Sequence, residues 1–383
     1  MSRVTDMLAL PRVRPDVALL GALVVITCIG LVMVGSASVA VADRLTGEPM
    51  YFFYRQAIYA LIGLVTAFVV LHVPLRFWQA NTFTLLGGGL ILLVVVLIPG
   101  IGSAVNGAQR WIDFGPVSMQ VSEPARLCLI LYVAGYASRR QVELATSWGG
   151  LFRPMFFMVL ASFLLLLEPD FGAAAILVTV AGMILFLAGA RLSYLLVLGA
   201  AAGGAVVLLV LSSPYRLARL VSFADPWAHP YASGFQLTQS LIAIGRGQIG
   251  GVGLGNSVQK LLYLPETHTD FLFAIYAEEF GLIGSLLLIV LFSIVVWRGF
   301  VIGRRAIEAE QLFAGFVAYG MSAWLALQAF VNIAVNMGML PTKGLTLPLM
   351  SYGGSSLVIM CLLCALLLRV DLETREPIRR QPS

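Results

Sequence analysis

Ten long apolar runs dominate the amino-acid sequence and leave few folds open to it. They fall near residues 17–41, 55–73, 80–99, 120–137, 153–168, 172–190, 193–211, 270–297, 311–335 and 353–370. About 20 apolar residues in a helix span the hydrocarbon core of a bilayer. Backbone groups in lipid must be hydrogen-bonded within the segment, and uniformly apolar runs do not suit the alternating pattern of a barrel. The sequence predicts an all-α polytopic membrane protein with ten transmembrane helices.

The composition of the 383 residues supports this class, because 60% are hydrophobic and only 11% are charged, which excludes a soluble enzyme. The formal charge of +5 comes from 22 Arg and 2 Lys against 19 acids. In a membrane protein such an excess indicates orientation, so we expect no nucleic-acid partner. The four cysteines, including Cys361 and Cys364 in a C-x-x-C, all lie in apolar runs and are expected to be packing residues.

The basic residues are distributed unequally between the two sides of the predicted bundle. Fifteen arginines lie on the side of the termini, against nine basic residues on the other side, four of them in the long segment 212–269 that the positive-inside rule discounts. Both termini are therefore predicted to be cytoplasmic. The chain is interpreted as one integral membrane domain, residues 1–383, with cytoplasmic tails at 1–16 and 371–383. Segment 212–269 becomes a long outer loop between the seventh and eighth helices.

Ionisable residues at or inside the apolar runs are the strongest pointers to function, because each costs free energy unless it is paired or exposed to a water-filled cavity. They are Glu123 with Arg126, Glu168 with Asp170, Asp270, and Glu278 with Glu279. Most of the other unusual residues fall in the outer connections, and loops not needed for folding commonly carry function. We expect the working face to point outward.

Asp270 is predicted to lie in the first turn of the eighth helix. One interpretation is a helix-start carboxylate that is favoured by the helix dipole, with Thr267 or Thr269 as the N-cap. The other is a general base at the boundary between lipid and water, with His268 and Glu266 tuning its proton affinity. Both can hold at once.

The other acids allow more than one interpretation. Ser122 is predicted as the N-cap of the fourth helix, and Glu123 and Arg126 can pair on one face three residues apart. That pair either only stabilises the helix or faces an outward cavity and positions an anionic group. Glu278 and Glu279 lie about 12 Å deeper than Asp270 on a regular helix and are expected to bond neighbouring helices.

The segment 212–269 has 58 residues, more than a connection requires. Residues 235–244 have an amphipathic pattern that predicts a helix, part of it on the membrane surface. The glycines of residues 245–255 match G-x-G-x-x-G but follow no strand, which excludes a dinucleotide site. They either let backbone amides approach a phosphate or a neighbouring helix, near Arg246 and Lys260, or form a flexible loop. Lys343 and the run Ser351 to Ser356 give another outer segment with free amides, hydroxyls and a cation. The alternative is that the run forms an ordinary turn and N-cap.

Five short segments follow one another along the chain, besides the ten spans and the long loop after the seventh helix: Asn106 to Trp111, Glu168 to Gly172, Leu264 to Phe271, Glu278 to Gly281 and Ser351 to Ser356. Together these features resemble the SEDS family of bacterial shape, elongation, division and sporulation proteins. Tyr263 to Glu266 and Thr342 to Met350 resemble its division branch more than its elongation branch. The resemblance implies a peptidoglycan glycosyltransferase of the bacterial inner membrane, at the division septum, that polymerises lipid II. It also implies as partners a class B penicillin-binding protein, which crosslinks the strands, and other divisome membrane proteins.

The resemblance assigns the family's essential acid to Asp270. The family's fourth-helix Glu and Lys match Glu123 and Arg126, and an Arg keeps the charge without the readily shifted pKa of Lys. Candidates that position the substrate or its pyrophosphate are Arg110, Glu123, Arg126, Arg246, Lys260, His268, Lys343, Ser351 and Ser355. Supporting roles are expected for Glu168, Asp170, Glu278 and Glu279.

The chemistry expected from these residues is the attack of a sugar hydroxyl on the anomeric carbon of a lipid-linked diphosphate, which needs one base and inverts the anomeric centre. No organic cofactor is expected, although a divalent cation such as Mg or Mn would assist the leaving group. Three alternatives stay open: a lipid II transporter, an elongation-type polymerase, and a non-catalytic scaffold. Loss of activity on replacing Asp270 would separate the polymerase from the transporter and the scaffold.

Overall fold

The computed structural model describes residues 14–105, 108–115, 117–211, 223, 225–228, 230, 234–341 and 344–375. These residues form thirteen assigned helices and three strands. The helices are α1 (Val17–Thr46), α2 (Tyr51–His72), α3 (Leu75–Ala80), α4 (Thr82–Val96), α5 (Ser122–Arg139), α6 (Gln141–Thr146), α7 (Trp148–Leu167), α8 (Phe171–Leu187), α9 (Leu192–Leu211), α10 (Phe235–Gly247), α11 (Leu272–Glu308), α12 (Leu312–Asn336) and α13 (Gly354–Arg375). The strands are β1 (Gly102–Val105), β2 (Ala108–Phe114) and β3 (Val117–Gln120).

Each of the ten apolar runs coincides with a helix. Six of these helices, α1, α2, α7, α11, α12 and α13, are long and apolar enough to cross a membrane, and α4, α8 and the first part of α9 are apolar but shorter. Helix α5 is buried around nearly its whole circumference, as expected for a helix at the centre of a bundle. Helices α12 and α13 share this central position. The chain is therefore a multi-pass helical membrane protein.

The all-α prediction was incomplete, because residues 102–120 form an antiparallel sheet in the order β1-β2-β3. Ser103 pairs with Trp111, and Trp111 pairs with Gln120. Aromatic and β-branched residues such as Trp111 and Ile112 favour strands. The sheet caps one end of the bundle and turns Arg110 toward the cavity described below.

Helix α11 departs from the prediction in two ways. It begins at Leu272, after Asp270, and it is interrupted at Gly281, whose φ of 65° and ψ of −161° are not helical. Residues 248–253 enter this break and satisfy the backbone groups that it frees. The bonds run from Val252 N to Glu278 O (3.0 Å), from Gly253 N to Glu279 O (3.0 Å), from Leu282 N to Gln248 O (2.9 Å) and from Ile283 N to Ile249 O (3.1 Å). Of the three roles predicted for these glycines, the structure shows the approach to a neighbouring helix.

The predicted amphipathic helix in the long loop is α10. It packs within the protein against α11 and α12, where Leu237 is buried and the Ser240 hydroxyl donates to Asn336 O at 2.8 Å. Of the predicted loop, residues 212–222, 224, 229 and 231–233 lie outside the described part of the chain.

The described ends of the chain meet at the end of the bundle opposite the sheet. The carboxylate of Asp16 caps α1 through Leu19 N (3.0 Å) and pairs with Arg298 of α11 and Arg375 of α13. The backbone N–H of Asp16 donates to Asp371 at 2.9 Å. This buried network fixes the first and last helices to α11 on one side of the bundle.

Candidate active site

A cavity of about 940 Å³ opens at the end of the bundle that carries the sheet. It lies between the sheet, the first turns of α2, and the segments 264–271 and 344–356. The polar groups used below that line it are Arg55, Arg110, Glu266, Asp270, Thr346, Ser355 and Ser356. The cavity therefore brings together Asp270, Arg110 and Ser355 of the predicted site residues.

Asp270 lies just before α11, in a segment that is fixed to the bundle by its backbone. The predicted caps were wrong: the N-cap is Phe271, the Thr267 hydroxyl donates to Ala37 O (3.0 Å), and the Thr269 hydroxyl bonds Glu266. The threonines are turned away because the chain is not yet helical there. Asp270 is thus held as a loop residue whose side chain points into the cavity.

The carboxyl group of Asp270 receives no hydrogen bond from any residue that the structure describes. Gly344 faces it, and a Cβ at that position would lie 3.2 Å from Oδ2. Burial above all, together with the nearby charges of Glu266 and Asp170, raises the pKa of Asp270 to about 7 against the opposing charge of Arg110. A carboxylate with a pKa near neutrality and unused acceptor atoms is suited to take a proton from a ligand.

A row of amide side chains on α12 holds the backbone of Asp270. Asn332 and Asn336, one turn apart, both donate to the carbonyl oxygen of Asp270, at 2.9 and 3.0 Å. Asn332 also donates to Leu345 O (2.6 Å), and Asn336 accepts from Ala274 N (3.2 Å). Both asparagines are buried, so their amide groups are held by protein partners.

The same row continues to the buried ion pair of α5. Gln328, one turn before Asn332, donates to Thr346 O (3.1 Å) and accepts from Trp324 Nε1 (2.8 Å) and Arg126 (3.4 Å). The sequence prediction of functional residues considered charged residues in the spans and did not include Gln328, Asn332 and Asn336. The sequence pattern that could have identified them is three amides at i, i+4 and i+8, which lie on one face of an apolar helix.

Glu123 and Arg126 form the predicted ion pair, at 3.0 Å. Arg126 also lies 4.6 Å from the centroid of the Trp324 ring. Both charged residues are buried, and the pair reaches the cavity only through Ser356, whose hydroxyl donates to Glu123 at 3.4 Å. The pair therefore supports the cavity wall from behind.

Arg110 is held in the cavity by the turn between α7 and α8. Its Nε and Nη2 donate to the carbonyl oxygens of Glu168 (2.8 Å) and Pro169 (2.6 Å). Among the described residues no carboxylate pairs with Arg110, so its charge stays available to a ligand. Burial above all, together with the nearby charge of Asp170, raises the pKa of Glu168 to about 8 against the opposing charge of Arg110, so the Glu168 carboxyl is largely neutral at pH 7.

Asp170 is a structural residue of the same turn. It caps α8 by accepting from Ala173 N (3.0 Å), and its other oxygen accepts from the Ser122 hydroxyl (3.0 Å). The prediction that Ser122 caps α5 was wrong, since the N-cap is Val121 and the Ser122 side chain is bonded to Asp170 instead.

Arg55 of α2 is a second cation of the cavity, and it was counted in the sequence only for orientation. Its guanidinium donates to the hydroxyls of Tyr51 (3.0 Å) and Tyr59 (3.4 Å). The sequence pattern that could have identified Arg55 is a pair of tyrosines, one a turn before it and one a turn after it. Arg55 and Arg110 thus place positive charge in the same cavity as Asp270.

Arg246 and Lys260 lie outside this cavity and pair with the adjacent acids of α11. Arg246 bonds Glu278 at 3.0 Å, and Lys260 bonds Glu279 at 2.8 Å. Glu279 also accepts from Ser36 of α1. As expected, these acids join neighbouring segments. Their partners, Arg246 and Lys260, were predicted to position the pyrophosphate. The pairing was not predictable because it depends on the break at Gly281.

The remaining candidates differ in position. Ser355 lines the cavity and accepts from Gln120 N at 3.0 Å, whereas Ser351 is buried in a turn and accepts from Leu347 N at 2.9 Å. His268 packs between the rings of Phe52 and Tyr352, which are tilted against it, at centroid distances of 4.5 and 5.5 Å.

Burial lowers the pKa of His268, although Glu266 opposes the shift, so its ring is neutral near pH 7 and adds no charge to the cavity. Lys343 lies outside the described residues.

The described residues form no group of three possible metal ligands. Mg²⁺ commonly binds through one or two carboxylates together with substrate phosphates, so Asp270 and Glu266 do not by themselves make a protein cage for it. The divalent cation stays a prediction.

The fold and the site together define the class as a multi-pass helical membrane protein with a polar cavity at one end, which holds Asp270, Arg55 and Arg110. Residues 17–376 match the FtsW, RodA and SpoVE family, described as "Cell cycle protein". The chain belongs to this family.

Curated relatives and solved structures agree with this membership. Proteins named probable peptidoglycan glycosyltransferase FtsW from Nitrosococcus halophilus and Legionella pneumophila are 55% and 51% identical. They match over 95% and 94% of this chain and 94% and 91% of their own length.

A structure described as "Structural coordination of polymerization and crosslinking by a peptidoglycan synthase complex" covers 95% of this chain and 100% of its own, at 29% identity and a TM-score of 0.78. RodA of Thermus thermophilus covers 96% and 99%, at 28% identity and a TM-score of 0.71.

Proposed function

We propose that the cavity is the active site of a peptidoglycan glycosyltransferase that polymerises lipid II, with Asp270 as its general base. Family membership and relatives about half identical over nearly the whole chain make the protein a glycosyltransferase of peptidoglycan synthesis. The observation that carries the proposal for Asp270 is its unbonded carboxyl group, on a clamped backbone, in a cavity that also holds Arg55 and Arg110.

The reaction assigned to the cavity is a single displacement. The 4-hydroxyl of the acceptor GlcNAc attacks C1 of the donor MurNAc, Asp270 takes the hydroxyl proton, and undecaprenyl pyrophosphate leaves with the bonding electrons. One base suffices, and the α-linked donor becomes a β-linked product, as for other inverting transfers. A base with a pKa near 7 is half ionised under physiological conditions and returns the proton readily.

The arginines of the cavity stabilise the leaving group. Pyrophosphate departs as an anion, and preorganised cations in a site shielded from water stabilise developing charge better than solvent does. Arg110 is suited to this role because its two bonds to backbone carbonyls fix it without neutralising it. The cavity volume of about 940 Å³ falls within the range of ligand pockets and admits a sugar with its diphosphate.

The proposed topology has ten spans with both termini in the cytoplasm. Ten helices at the ten apolar runs, the meeting of Asp16 with Arg375, and the excess of arginine at that end support it. The cavity then faces outward, on the side of the membrane where peptidoglycan is assembled.

The proposed partners are a class B penicillin-binding protein and other divisome membrane proteins, at the division septum of a bacterial inner membrane. The fold shared with a chain of a peptidoglycan synthase complex supports the first, and the names of the relatives support the division role over elongation. Depletion would separate these roles, since loss of a division protein gives filaments and loss of an elongation protein gives round cells.

The test of this function is polymerisation of labelled lipid II by the purified protein with its partner. We expect glycan ladders from the wild type and none from Asp270→Asn, which removes the base and keeps the shape. Asp113→Asn is the matched control, since this carboxylate lines the same cavity but is assigned no role in the site. Full ladder formation by Asp270→Asn would refute the proposal, and translocation of lipid II by that variant in vesicles would favour a transporter.

A further inference from the structure

A second cleft lies at the other end of the bundle, between α4, α5 and α7. It has a volume of about 520 Å³, and Phe83, Tyr132, Arg139, Arg153 and Phe156 are among the residues that line it. Helix α5 runs from the active-site cavity to this cleft over 18 residues, a rise of about 27 Å. That distance is close to the thickness of a hydrocarbon core of about 30 Å, so the cleft opens at the opposite membrane interface.

The cleft has an aromatic floor and aromatic walls. Tyr132 is buried at its base, with the rings of Phe83 and Phe157 edge-on at centroid distances of 5.8 and 5.7 Å. Phe83, Phe152 and Phe156 are exposed on the lipid-facing side, at 64%, 70% and 53% of their surface. Such a surface is complementary to a hydrocarbon chain that enters from the bilayer.

The mouth of the cleft carries positive charge that the protein leaves largely uncompensated. Arg139 donates to the Thr82 hydroxyl at 3.1 Å and lies 5.4 Å from the centroid of the Phe83 ring, both neutral groups. Arg153 has no carboxylate partner within the described part of the chain. Arg140 pairs with Glu143, and Arg76 lines an adjoining pocket that shares Phe83 and Arg139.

We propose that this cleft is a binding site for an anionic phospholipid of the leaflet opposite the active-site cavity. The phosphate lies between Arg139 and Arg153, which offer planar guanidinium groups suited to bidentate contact, and an acyl chain runs along Phe83 and Phe156. Basic pockets between transmembrane helices at this interface are suited to anionic headgroups. Arginines that only set orientation would need neither a cleft nor an aromatic wall.

The test uses the full-length protein in nanodiscs that contain equal amounts of phosphatidylglycerol and phosphatidylethanolamine. Native mass spectrometry then counts the lipids that stay bound after release. We expect preferential retention of phosphatidylglycerol by the wild type. The double variant Arg139→Gln/Arg153→Gln should bind it about 30-fold more weakly, because each basic residue near an anionic surface contributes about 1 kcal/mol. Arg304→Gln, an exposed arginine on α11 paired with Glu308, is the matched control and should retain the lipid.

Two further variants separate binding from folding and insertion. Arg139→Lys/Arg153→Lys keeps the charge that orients the chain but loses the planar fork, and it should fall between the wild type and the Gln variant. Phe156→Ala removes part of the wall and should weaken retention without changing the charge. Equal retention of the two headgroups by the wild type, or wild-type retention by all three variants, would overturn the proposal. Displacement by millimolar inorganic phosphate would also overturn it, since the site would then take a free anion.

Discussion

The hydrogen bonds from α12 to the backbone of Asp270 are expected to contribute both to stability and to activity. Asn332 and Asn336 both donate to the carbonyl oxygen of Asp270, so either amide alone still satisfies it. We expect Asn332→Leu and Asn336→Leu each to cost about 1 to 2 kcal/mol, since each removes buried hydrogen bonds. The double variant should cost more than the sum, by about 1 to 3 kcal/mol, because only then does the carbonyl oxygen of Asp270 lose both of its donors.

The same perturbation should lower activity in a characteristic way. A base displaced by about 1 Å costs about 100-fold in rate, so kcat should fall by about that factor in the double variant while KM for lipid II changes little. The pH at which the rate is half maximal should stay unchanged, because no charge is altered. The measurements are thermal unfolding in detergent and initial rates of glycan-ladder formation.

The matched control is Ser322→Ala, on the same helix and equally buried, because its hydroxyl bonds only Ala318 O of its own helix. An additive double variant, or one with full kcat, would show that the amide row does not position Asp270.

Two further expectations concern the cavity arginine and the break in α11. Arg110→Gln should raise KM for lipid II about tenfold or more, as loss of a charge-assisted contact to a phosphate does, and should raise the pKa of Asp270, which Arg110 lowers. Unchanged KM in lipid II titrations would contradict this. Gly251→Ala should destabilise the protein by about 3 kcal/mol or more in thermal unfolding, because its Cβ would lie 2.2 Å from Glu279 O at a φ of 79°. The control Gly255→Ala has a similar φ of 85° but meets nothing within 4 Å, and equal losses would refute the account of the break.

The helices were predictable from the sequence because the signal is local. Each apolar run is long enough to specify a helix whatever its neighbours, so every predicted span coincides with one. The sheet was missed, although Trp111, Ile112 and the Asn106–Gly107 dipeptide are typical of a hairpin. A segment between two apolar runs is expected to be a connection, and this expectation hides the strand pattern.

The break in α11 was not predictable, because its cause is distant in the chain. A helix keeps its backbone bonds unless another segment replaces them, and here residues 248–253 do so. That insertion also brings Arg246 and Lys260 to Glu278 and Glu279. The sequence could identify all four charges but could not assign them to each other.

Among the residues that line the cavity, the sequence predicted Asp270 but few of its neighbours. Asp270 stands out as an acid at the start of an apolar run, and it does line the cavity. Arg110 was one of five basic residues that the sequence could not rank. The amides of α12 and the tyrosines beside Arg55 do lie at helical spacings, but spacing alone does not show which backbone group or cavity they reach.

In the proposed mechanism, the carboxylate of Asp270 accepts the proton of the attacking sugar hydroxyl, so the rate depends on the ionisation of that group. Its pKa is raised to about 7, so the group is protonated and inactive below that pH and ionised above it. The most direct measurement is kcat/KM for lipid II polymerisation between about pH 5.5 and 8.5, since it reports the free enzyme. The rate should fall tenfold for each unit below about 7 and level off above it. A rate that is flat through this range would contradict the account.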